Sequence, residues 1–482
     1  MMACVIAGGL FTACNDNSFE VGETDEGRYA VSNELKGFIT DVQGKRLFTN
    51  VEFKTSGETQ LFLNTTKAQS TTSTVTVTYD VSALNEYNQK NGLNYEAFPQ
   101  NLVSLAAEGQ ITLAAGERKS SGLTVSYTSD GSLTPNKSYV IPLRITNTGD
   151  IKFNESDATR LIFVKDLTSL ANARKSNGVY ILSCMEINRT NPLNNLCFTL
   201  ANTPGGVDDG KYLIDGVVMF SSNVMYDQER RRMYLSHNEN NQALLDGYEK
   251  YLKPLQDAGM HVYLSLLGNG GSPGMGNFTA ETSKAFAQEI KNICDAYNLD
   301  GVFFDDEYSN TSGFVNTPGF TTNAQVNASR LAYEVKKAQP HRLVSIFRWD
   351  MFSSMHAITE DGVTYQPGSY VDYVYPNYGT ATLTSGFTGV PLANIGVRNQ
   401  EYAGGNSNGW PTEANMRAAK DAGYLTNMIF ALDPFWVNFA EPNPEATGNH
   451  RGQFQLQSLQ RTARAYFDGD IVYDGNPFEK DW

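Results

Sequence analysis

Apolar and polar residues alternate along the first third of the chain. In the run TSTVTVTYDV, Val75 and Val77 alternate with threonines, which is the two-residue period of a half-buried strand. Gly, Asn, Asp and Ser separate further runs of this kind: VSLAAEGQITLAAGE, GLTVSYTS, SYVIPLRITNTG and ATRLIFVKDL. We therefore predict an all-β sandwich as the N-terminal domain, over residues 27–168.

After Gly178 the pattern changes, and strand-like runs such as VYILSCMEI and HVYLSLLG alternate with helix-like runs. One face of the first predicted helix carries Leu244, Tyr248, Leu252 and Leu255. Gly259 follows this helix, as expected of a left-handed cap. About eight strand–helix units favour an α/β domain of the (β/α)8 TIM-barrel type over residues 169–482. A doubly wound open sheet is the alternative, although no glycine-rich phosphate loop follows the first strand.

Charge and composition narrow the range of functions. The 482-residue chain carries 52 Asp and Glu against 37 Lys and Arg, a formal charge of −15 at pH 7. Such a surface repels a polyphosphate backbone, so nucleic acid is not expected as a partner. No stretch of about 18 uninterrupted apolar residues is present, so no membrane-spanning helix is predicted.

The N-terminus has the pattern of a processed leader. The run MMACVIAGGLFTACNDNSFE is apolar as far as Cys14 and polar immediately after it. It resembles a bacterial lipoprotein signal, in which the cysteine after a small residue, here Ala13, is acylated. We expect residues 1–26 to be signal and acidic tether on a surface-exposed outer-membrane lipoprotein, with lipid as its membrane contact. A buried N-terminal strand or helix is the alternative.

The spacing of cysteines and histidines predicts neither a disulfide framework nor a metal site. The five cysteines are Cys4, Cys14, Cys184, Cys197 and Cys294. The last three are predicted to be buried free thiols, with a single Cys184–Cys197 bridge as the alternative. His261 and His341 open predicted strands at the face opposite the expected site, and we predict that both are structural.

Four carboxylates crowd into the stretch LDGVFFDDEYSN, residues 299–310. If this stretch is the fourth parallel strand, Phe303, Asp305 and Glu307 face the interior while Asp306 faces outward. Glu307 then lies at the carboxyl end of the strand, where barrel enzymes place their catalytic groups. Two close carboxylates cannot easily both ionise, so one keeps a proton at neutral pH and can act as a general acid. A solvated acidic strand end is the alternative.

The same stretch resembles the D-G-x-D-x-D-x-E signature of glycoside hydrolase family 18, and LDGVFFDDEYS is most similar to its endo-β-N-acetylglucosaminidase branch. That family uses substrate assistance. The resemblance implies that Glu307 acts as acid and then as base. It implies that Asp305 orients the 2-acetamido group, whose carbonyl attacks C1 to form an oxazolinium. Phe303 replaces an interior Asp of the signature, so a relay through it is absent; we count Phe303 among the substrate-binding candidates.

A glycine-rich motif follows the predicted third strand. YLSLLGNGG resembles the S-x-G-G motif of the same family, which implies that Asn269, Gly270 and Gly271 lie close to the sugar. Glycine at such positions lets the backbone approach a ligand closely.

Two aromatic residues complete the implied site. YPNYG ends the predicted sixth strand, where the family has a tyrosine that holds the acetamido carbonyl. Tyr378 is our candidate, beside Asn377 as a substrate contact, and Tyr375 is the alternative. ALDPFW ends the predicted eighth strand, where the family has a tryptophan beneath the sugar. Trp436 is our candidate there, and Phe435 is the alternative.

The N-terminal domain also has a resemblance of its own. The order YNQKNGLNYEAFP, ITLAAGE and YVIPLRI resembles the small sandwich module that precedes catalytic or glycan-binding domains in surface lipoproteins of glycan-harvesting bacteria. We expect this module to be a spacer, with direct sugar binding as the alternative.

The resemblance predicts a retaining enzyme that hydrolyses the β-1,4 bond of the N,N'-diacetylchitobiose core of N-glycans, without a cofactor. N-linked glycans or glycoproteins are the expected partners, and a monomer is the expected state. A non-catalytic surface glycan-binding protein is one alternative, but such relatives generally lose one of the two acids that this chain keeps. A chitinase is another, and the short stretch between YVDYVYPNYG and LANIGVRNQ argues against it.

Overall fold

The computed structural model describes residues 34–146, 148–379, 385–402, 410–436, 439–440 and 455–482. The predicted leader with Cys14 lies outside these residues. Within them, no helix combines the length and the apolar character needed to cross a bilayer.

The N-terminal strands form two five-stranded sheets. They are β1 (Lys36–Asp41), β2 (Thr49–Phe53), β3 (Ser56–Thr65), β4 (Ser73–Tyr79), β5 (Val103–Leu105), β6 (Gln110–Leu113), β7 (Leu123–Thr128), β8 (Ser138–Thr146), β9 (Lys152–Phe153) and β10 (Thr159–Asp166). The sheet orders are β5-β7-β3-β1-β9 and β2-β10-β8-β4-β6. Val75 and Val77 of β4 are buried in the shared core, which explains the alternation along that strand. Helix α1 (Val81–Asn91) follows β4.

A nine-stranded sheet organises the rest of the chain. The strands after β10 are β11 (Tyr180–Glu186), β12 (Phe198–Ala201), β13 (Gly216–Asp227), β14 (Arg232–Ser236), β15 (His261–Leu267), β16 (Gly301–Asp305), β17 (Leu343–Phe347), β18 (Ile358–Glu360), β19 (Val363–Tyr365), β20 (Tyr373–Tyr375), β21 (Gln400–Glu401), β22 (Thr426–Phe430) and β23 (Asp470–Tyr473). The main order is β20-β17-β16-β15-β13-β11-β22-β21 with parallel neighbours, and β14 pairs antiparallel with β13. Two separate pairs are β12 with β23 and β18 with β19.

The two ends of this strand order lie close together. Val374 of β20 forms a parallel bridge with Ile395, and the N–H of Gly396 donates to the carbonyl of Val374 at 2.9 Å. The segment from Ile395 leads directly into β21, which pairs with β22. Inward-facing side chains from the parallel strands form a compact cluster of their own, apart from the larger outer core.

Helices follow several of the parallel strands. They are α2 (Glu239–Asp246), α3 (Tyr248–Tyr251), α4 (Lys253–Asp257), α5 (Ala280–Ala296), α6 (Gln325–Ala338), α7 (Glu413–Asp421) and α8 (Gln455–Phe467). The single helix predicted before Gly259 is divided into α2, α3 and α4, because Gly247 ends the first piece and Pro254 lies in the first turn of the last. Gly259 has the expected left-handed backbone.

The expectation of a helix after every parallel strand is wrong at two places. The β11–β13 connection, which the structure describes completely, contains β12 and short 3-10 turns at Pro192 and Pro204. The β17–β20 connection, also fully described, contains the β18–β19 hairpin and a 3-10 turn at Pro367. Proline at these positions removes a backbone donor and favours tight turns over a continuous α-helix.

Asp300, the first acid of the crowded stretch, belongs to the opposite end of the sheet from Glu307. Its carboxylate accepts the N–H of Val262 at 3.0 Å, just inside the start of β15. Asp215 accepts the N–H of Ile181 at 2.8 Å, and Asp372 accepts that of Val344 at 2.9 Å. An aspartate before one strand thus satisfies the first free donor of its neighbour, which is a structural role.

The sandwich packs against this same amino-terminal end of the parallel strands. Lys165 of β10 pairs with Asp300 at 3.1 Å, and Glu52 of β2 contacts His261 Nε2 at 2.8 Å. The hydroxyl of Tyr95 lies 2.7 Å from Nδ1 of His341. Both histidines therefore contact the sandwich, on the side away from the carboxyl ends of the strands.

Candidate active site

The crowded carboxylates point to different faces of the sheet because side chains alternate in direction along β16. In its pairing with β15, Phe303 lies opposite Ser265 and Asp305 lies opposite Leu267. Phe303 belongs to the interior cluster, so Asp305, two residues further along, also faces the interior. Asp306 takes the other face, and Glu307 follows the strand at its carboxyl end, where it is half-buried.

Asp305 is a buried carboxyl with an unusual electrostatic environment. Its side chain is 6% exposed, and its Oδ1 has no hydrogen-bond partner in the described part of the chain. Burial raises the pKa of Asp305 well above its ordinary range, and the negative charges of Glu307 and Asp306 raise it further. The raised pKa that was expected of one acid in this stretch is therefore found on Asp305.

Asp306 has a role that the sequence reasoning missed. It is 2% exposed, and it accepts the N–H of Met275 at 2.8 Å and the hydroxyl of Ser309 at 2.6 Å. Burial raises its pKa to about 6. Asp306 therefore joins the loop after β15 to the segment after β16, and fixes the surroundings of Glu307.

The residue after Glu307 turns the chain outward. Tyr308 has a φ of 66°, a left-handed conformation that is uncommon for a residue with a Cβ. Its side chain is 73% exposed. The charge of Glu307 and a hydrogen bond to it raise the pKa of the Tyr308 phenol, which places that phenol at the Glu307 carboxylate.

The structure separates the two tyrosine candidates. Tyr375 is fully buried, and its hydroxyl lies 3.1 Å from that of Thr426 inside the interior cluster. Tyr378 lies beyond β20 and is half-buried. Burial raises the pKa of its phenol well above the ordinary value, and the nearby groups Cys184, Asp305, Glu401 and Glu307 raise it further. Tyr378 is thus a protonated donor close to both acids.

Asn377 and the glycine motif lie at the same rim. Asn377 is exposed, and its Oδ1 accepts the N–H of Tyr378 at 2.8 Å. Asn269 is half-buried and accepts the N–H of Gly271 at 2.9 Å, in a turn that exposes Gly270 and Gly271. Their contact with a sugar stays a prediction.

The close backbone approach occurs at Gly268, one residue before the predicted positions. A Cβ at Gly268 would lie 2.1 Å from the carbonyl oxygen of Glu307 and 2.3 Å from the hydroxyl of Ser309. At Gly270 the nearest atom, the carbonyl oxygen of Tyr308, would be 3.6 Å away. Glycine at 268 therefore lets the loop after β15 pass directly against the carboxyl end of β16.

We expect Gly268→Ala to displace this strand end. The clash is with backbone, which cannot rotate away, so we expect a loss of about 1–3 kcal/mol in the free energy of unfolding. Urea unfolding followed by circular dichroism measures it. Gly270→Ala is the matched control and should stay within about 0.5 kcal/mol of wild type. Equal stabilities of the two variants would contradict this account.

Two predicted substrate contacts are corrected by their positions. Phe303 is 1% exposed, with its ring centroid 6.2 Å from that of Tyr375, so it fills the interior below Asp305 and leaves no surface for a sugar. Trp436 lies beyond the end of β22 and packs against the outer core, with the Arg189 guanidinium 5.9 Å from its ring. It is therefore not the interior aromatic residue of that strand.

Phe430, the last residue of β22, is the aromatic residue of this strand end that faces the interior. Its ring packs with the interior cluster, 5.4 Å from that of Phe220 and 6.1 Å from that of Tyr378 between centroids. The alternation along β22 could have indicated it, because Met428 and Phe430 share the inward face.

Among the described residues the structure shows neither a disulfide bond nor a group of metal-binding side chains. Cys184, Cys197 and Cys294 are buried free thiols, so the alternative of a Cys184–Cys197 bridge is wrong. Within the described ranges, no three His, Cys, Asp or Glu side chains are grouped so that they could hold a metal ion.

Comparisons with known proteins agree on one activity. A family model described as an N-terminal domain matches residues 32–152. Over 317 residues the chain is 40% identical to endo-β-N-acetylglucosaminidase F1 of Elizabethkingia meningoseptica, covering 65% of this chain and 85% of that relative. It is 30% identical over 211 residues to an endo-β-N-acetylglucosaminidase of Flavobacterium sp. (strain SK1022), covering 43% of this chain and 62% of that relative.

Two solved structures of EndoBT-3987 are similar to this chain over almost its whole length. The crystal structure of Bacteroides thetaiotamicron EndoBT-3987 with Man5GlcNAc product matches with a TM-score of 0.79 and 30% identity, over 92% of this chain and 97% of that one. Its complex with Man9GlcNAc2Asn substrate matches with a TM-score of 0.72 and 27% identity, over the same shares.

Proposed function

Since the chain belongs to the endo-β-N-acetylglucosaminidase family, we propose that it cleaves the β-1,4 bond between the two core N-acetylglucosamines of N-glycans. The observation that carries this proposal is the pair formed by Glu307 at the rim and the buried Asp305 with its unpartnered oxygen. The structural relative in complex with Man5GlcNAc product supports it, because a single terminal N-acetylglucosamine is what this cleavage leaves on the released glycan.

We propose that the parallel sheet is a (β/α)8 TIM barrel and that the enzyme is a member of glycoside hydrolase family 18, on residues 169–482. The bridge between Val374 and Ile395 supports closure of the sheet. The separate interior cluster supports a filled barrel core. The acids at the carboxyl end of β16 lie where such barrels place catalytic groups.

In the first step, Glu307 gives its proton to the glycosidic oxygen while the bond from that oxygen to C1 breaks. The carbonyl oxygen of the substrate's own 2-acetamido group forms the new bond to C1, which gives an oxazolinium. Asp305 holds the acetamido N–H and, once ionised, stabilises the positive charge that develops there. Because Asp305 is buried, this charge interaction is little screened by solvent.

In the second step, the Glu307 carboxylate takes a proton from water as the water oxygen attacks C1 and the oxazolinium opens. Two displacements at C1 leave its configuration unchanged. Tyr378 donates its phenol proton in a hydrogen bond to the acetamido carbonyl, and its raised pKa keeps it a donor throughout. Phe303 offers no proton path below Asp305, so the shared proton stays within the Asp305–Glu307 pair.

Mass spectrometry tests the activity directly. The soluble protein from Asn15 onward is incubated with a high-mannose glycoprotein and with a complex-type glycoprotein. We expect at least one of them to lose its glycan and to keep one N-acetylglucosamine at each site. If the asparagines are left bare, or if neither glycoprotein loses mass, the proposal is wrong.

We also propose that the enzyme is a monomeric lipoprotein of the outer-membrane surface, held by lipid on Cys14. The sequence around Cys14 supports this, and the position of the sandwich, opposite the rim with Glu307, suits a spacer between membrane and active site.

Lipid attachment is tested by Cys14→Ala in the full chain, expressed in a Gram-negative host. We expect the variant to lose incorporation of labelled fatty acid and to move from the membrane fraction to the soluble fraction. A wild-type protein that incorporates no fatty acid would contradict this placement.

A further inference from the structure

We infer that Trp349 forms an aromatic subsite for the N-acetylglucosamine that remains on the glycoprotein after cleavage. This assignment rests on the proposed endoglycosidase function. It concerns the sugar on the leaving side of the broken bond, whereas the groups described so far act on the sugar that is attacked.

Trp349 is the exposed end of a continuous series of rings around the rim. Its ring lies nearly parallel to that of Phe347, at 12° and 6.3 Å between centroids. Phe347 is followed by Tyr378 at 5.7 Å, and Tyr378 by Phe430 at 6.1 Å. Phe347 is 4% exposed, whereas Trp349 is 42% exposed. The indole is thus supported from the interior side and open towards solvent, which is the form of a platform for the apolar face of a sugar ring.

Strand register places this platform at the strand end next to the one that carries the proton donor. Phe304 of β16 pairs with Ile346 of β17, so Phe347 is level with Asp305 on the neighbouring strand. β16 ends at Asp305 and β17 at Phe347, and the N–H of Trp349 donates to the carbonyl of Phe347 at 2.9 Å in a tight turn. Trp349 and Glu307 therefore each follow the carboxyl end of one of two neighbouring strands, beyond the last strand residues Phe347 and Asp305.

The leaving sugar suits this position better than the attacked sugar does. The attacked sugar must reach the buried Asp305 and the half-buried Tyr378, which are less accessible than Trp349. The leaving sugar stays joined to a polypeptide and has to remain outside the mouth. At the strand end beside that of Glu307, the exposed, uncharged indole can pack against the ring and the acetamido methyl of that N-acetylglucosamine.

The test uses two substrates that differ in the leaving side. One is a glycopeptide of the glycan class that the wild-type protein cleaves, and the other is the corresponding glycan oxazoline, which has no leaving N-acetylglucosamine. For Trp349→Ala we expect kcat/KM on the glycopeptide to fall about tenfold or more. Hydrolysis of the oxazoline should stay within about twofold of wild type. Trp349→Phe should recover most of the loss on the glycopeptide.

Phe478→Ala is the matched control, because Phe478 is similarly exposed, at 40%, and is not one of the rim rings. It should leave both substrates unaffected, and all variants should keep the wild-type melting temperature. Unchanged glycopeptide cleavage by Trp349→Ala would overturn the inference. An equal loss on both substrates would also overturn it, by assigning Trp349 to the attacked side. If the wild-type protein cleaves no glycopeptide, the proposed function fails and this inference fails with it.

Discussion

Glu307→Gln should abolish most of the hydrolysis of N-glycosylated proteins. Glutamine has nearly the shape of glutamate, but it cannot give a proton to the glycosidic oxygen or take one from water. General acid–base catalysis contributes about 10²–10⁴-fold, so we expect kcat/KM on a glycopeptide to fall by about that factor. Because Glu307 is half-buried at the rim, the change should leave the fold and the melting temperature unaffected.

A substrate with a better leaving group distinguishes loss of the proton donor from loss of substrate binding in Glu307→Gln. A p-nitrophenyl glycoside of the same glycan releases a phenolate that needs little protonation. With it, kcat/KM of Glu307→Gln should fall by no more than about tenfold. The exposed Glu281 in the first turn of α5 provides the control: Glu281→Gln should behave as wild type with both substrates. If Glu307→Gln lost equal activity on the two substrates, Glu307 would not be the proton donor.

The sequence was most informative where the chemistry depends on residues close together in one strand. The inward direction of Asp305 could be predicted from alternation alone, because a strand places residues i and i+2 on one face whatever surrounds it. Burial of the valines in β4 followed from the same rule. These features need no knowledge of neighbouring strands.

Features that depend on other strands could not be predicted. Gly268 is constrained by the carbonyl of Glu307, and Asp306 is held by the N–H of Met275. Both contacts join loops that are distant in sequence. Neither Trp436 nor its alternative Phe435 proved to be the inward-facing aromatic residue, because the choice depended on where β22 ends. The end of that strand is fixed by its pairing with β11 and less by its own residues.

Helix prediction failed for a related reason. The run before Gly259 has a continuous apolar face, yet Gly247 and Pro254 divide it into three pieces. Packing of the apolar face tolerates these breaks, because each short piece still covers the sheet. A pattern of apolar residues therefore predicts the buried side of a segment well, but it is a weaker predictor of an unbroken helix.

Asp305→Asn should lower kcat on a glycopeptide by about 10²–10³-fold, because a neutral amide cannot stabilise the positive oxazolinium as a buried carboxylate does. Asparagine keeps the size of the side chain and an acceptor for the acetamido N–H. We therefore expect KM to change much less than kcat. Asp257→Asn, at the exposed end of α4, is the control and should leave both constants unchanged.

The pH profile gives an independent test of the same assignment. The pair carries one proton, which the raised pKa of Asp305 favours on Asp305; the reactive form is the one in which it has passed to Glu307 and Asp305 is ionised. As pH falls, the pair gains a second proton and activity drops; as pH rises, the pair loses its last proton and activity drops again. The wild-type profile of kcat/KM should be bell-shaped, with two limbs that belong to the pair. In Asp305→Asn the coupled pair no longer exists, so the acid limb should disappear and the profile should lose its bell shape.

The melting temperature of Asp305→Asn shows whether its loss of activity comes from the missing carboxylate or from a damaged fold. The pKa of Asp305 is raised in the folded protein, so between the ordinary and the raised value the folded state binds more protons than the unfolded state. Wild type must therefore lose stability as pH rises through that window. Asp305→Asn has no such loss, so at neutral pH its melting temperature should equal or exceed that of wild type. A less stable variant with an unchanged bell-shaped profile would show that Asp305 is a structural residue, and that the acetamido group is held elsewhere.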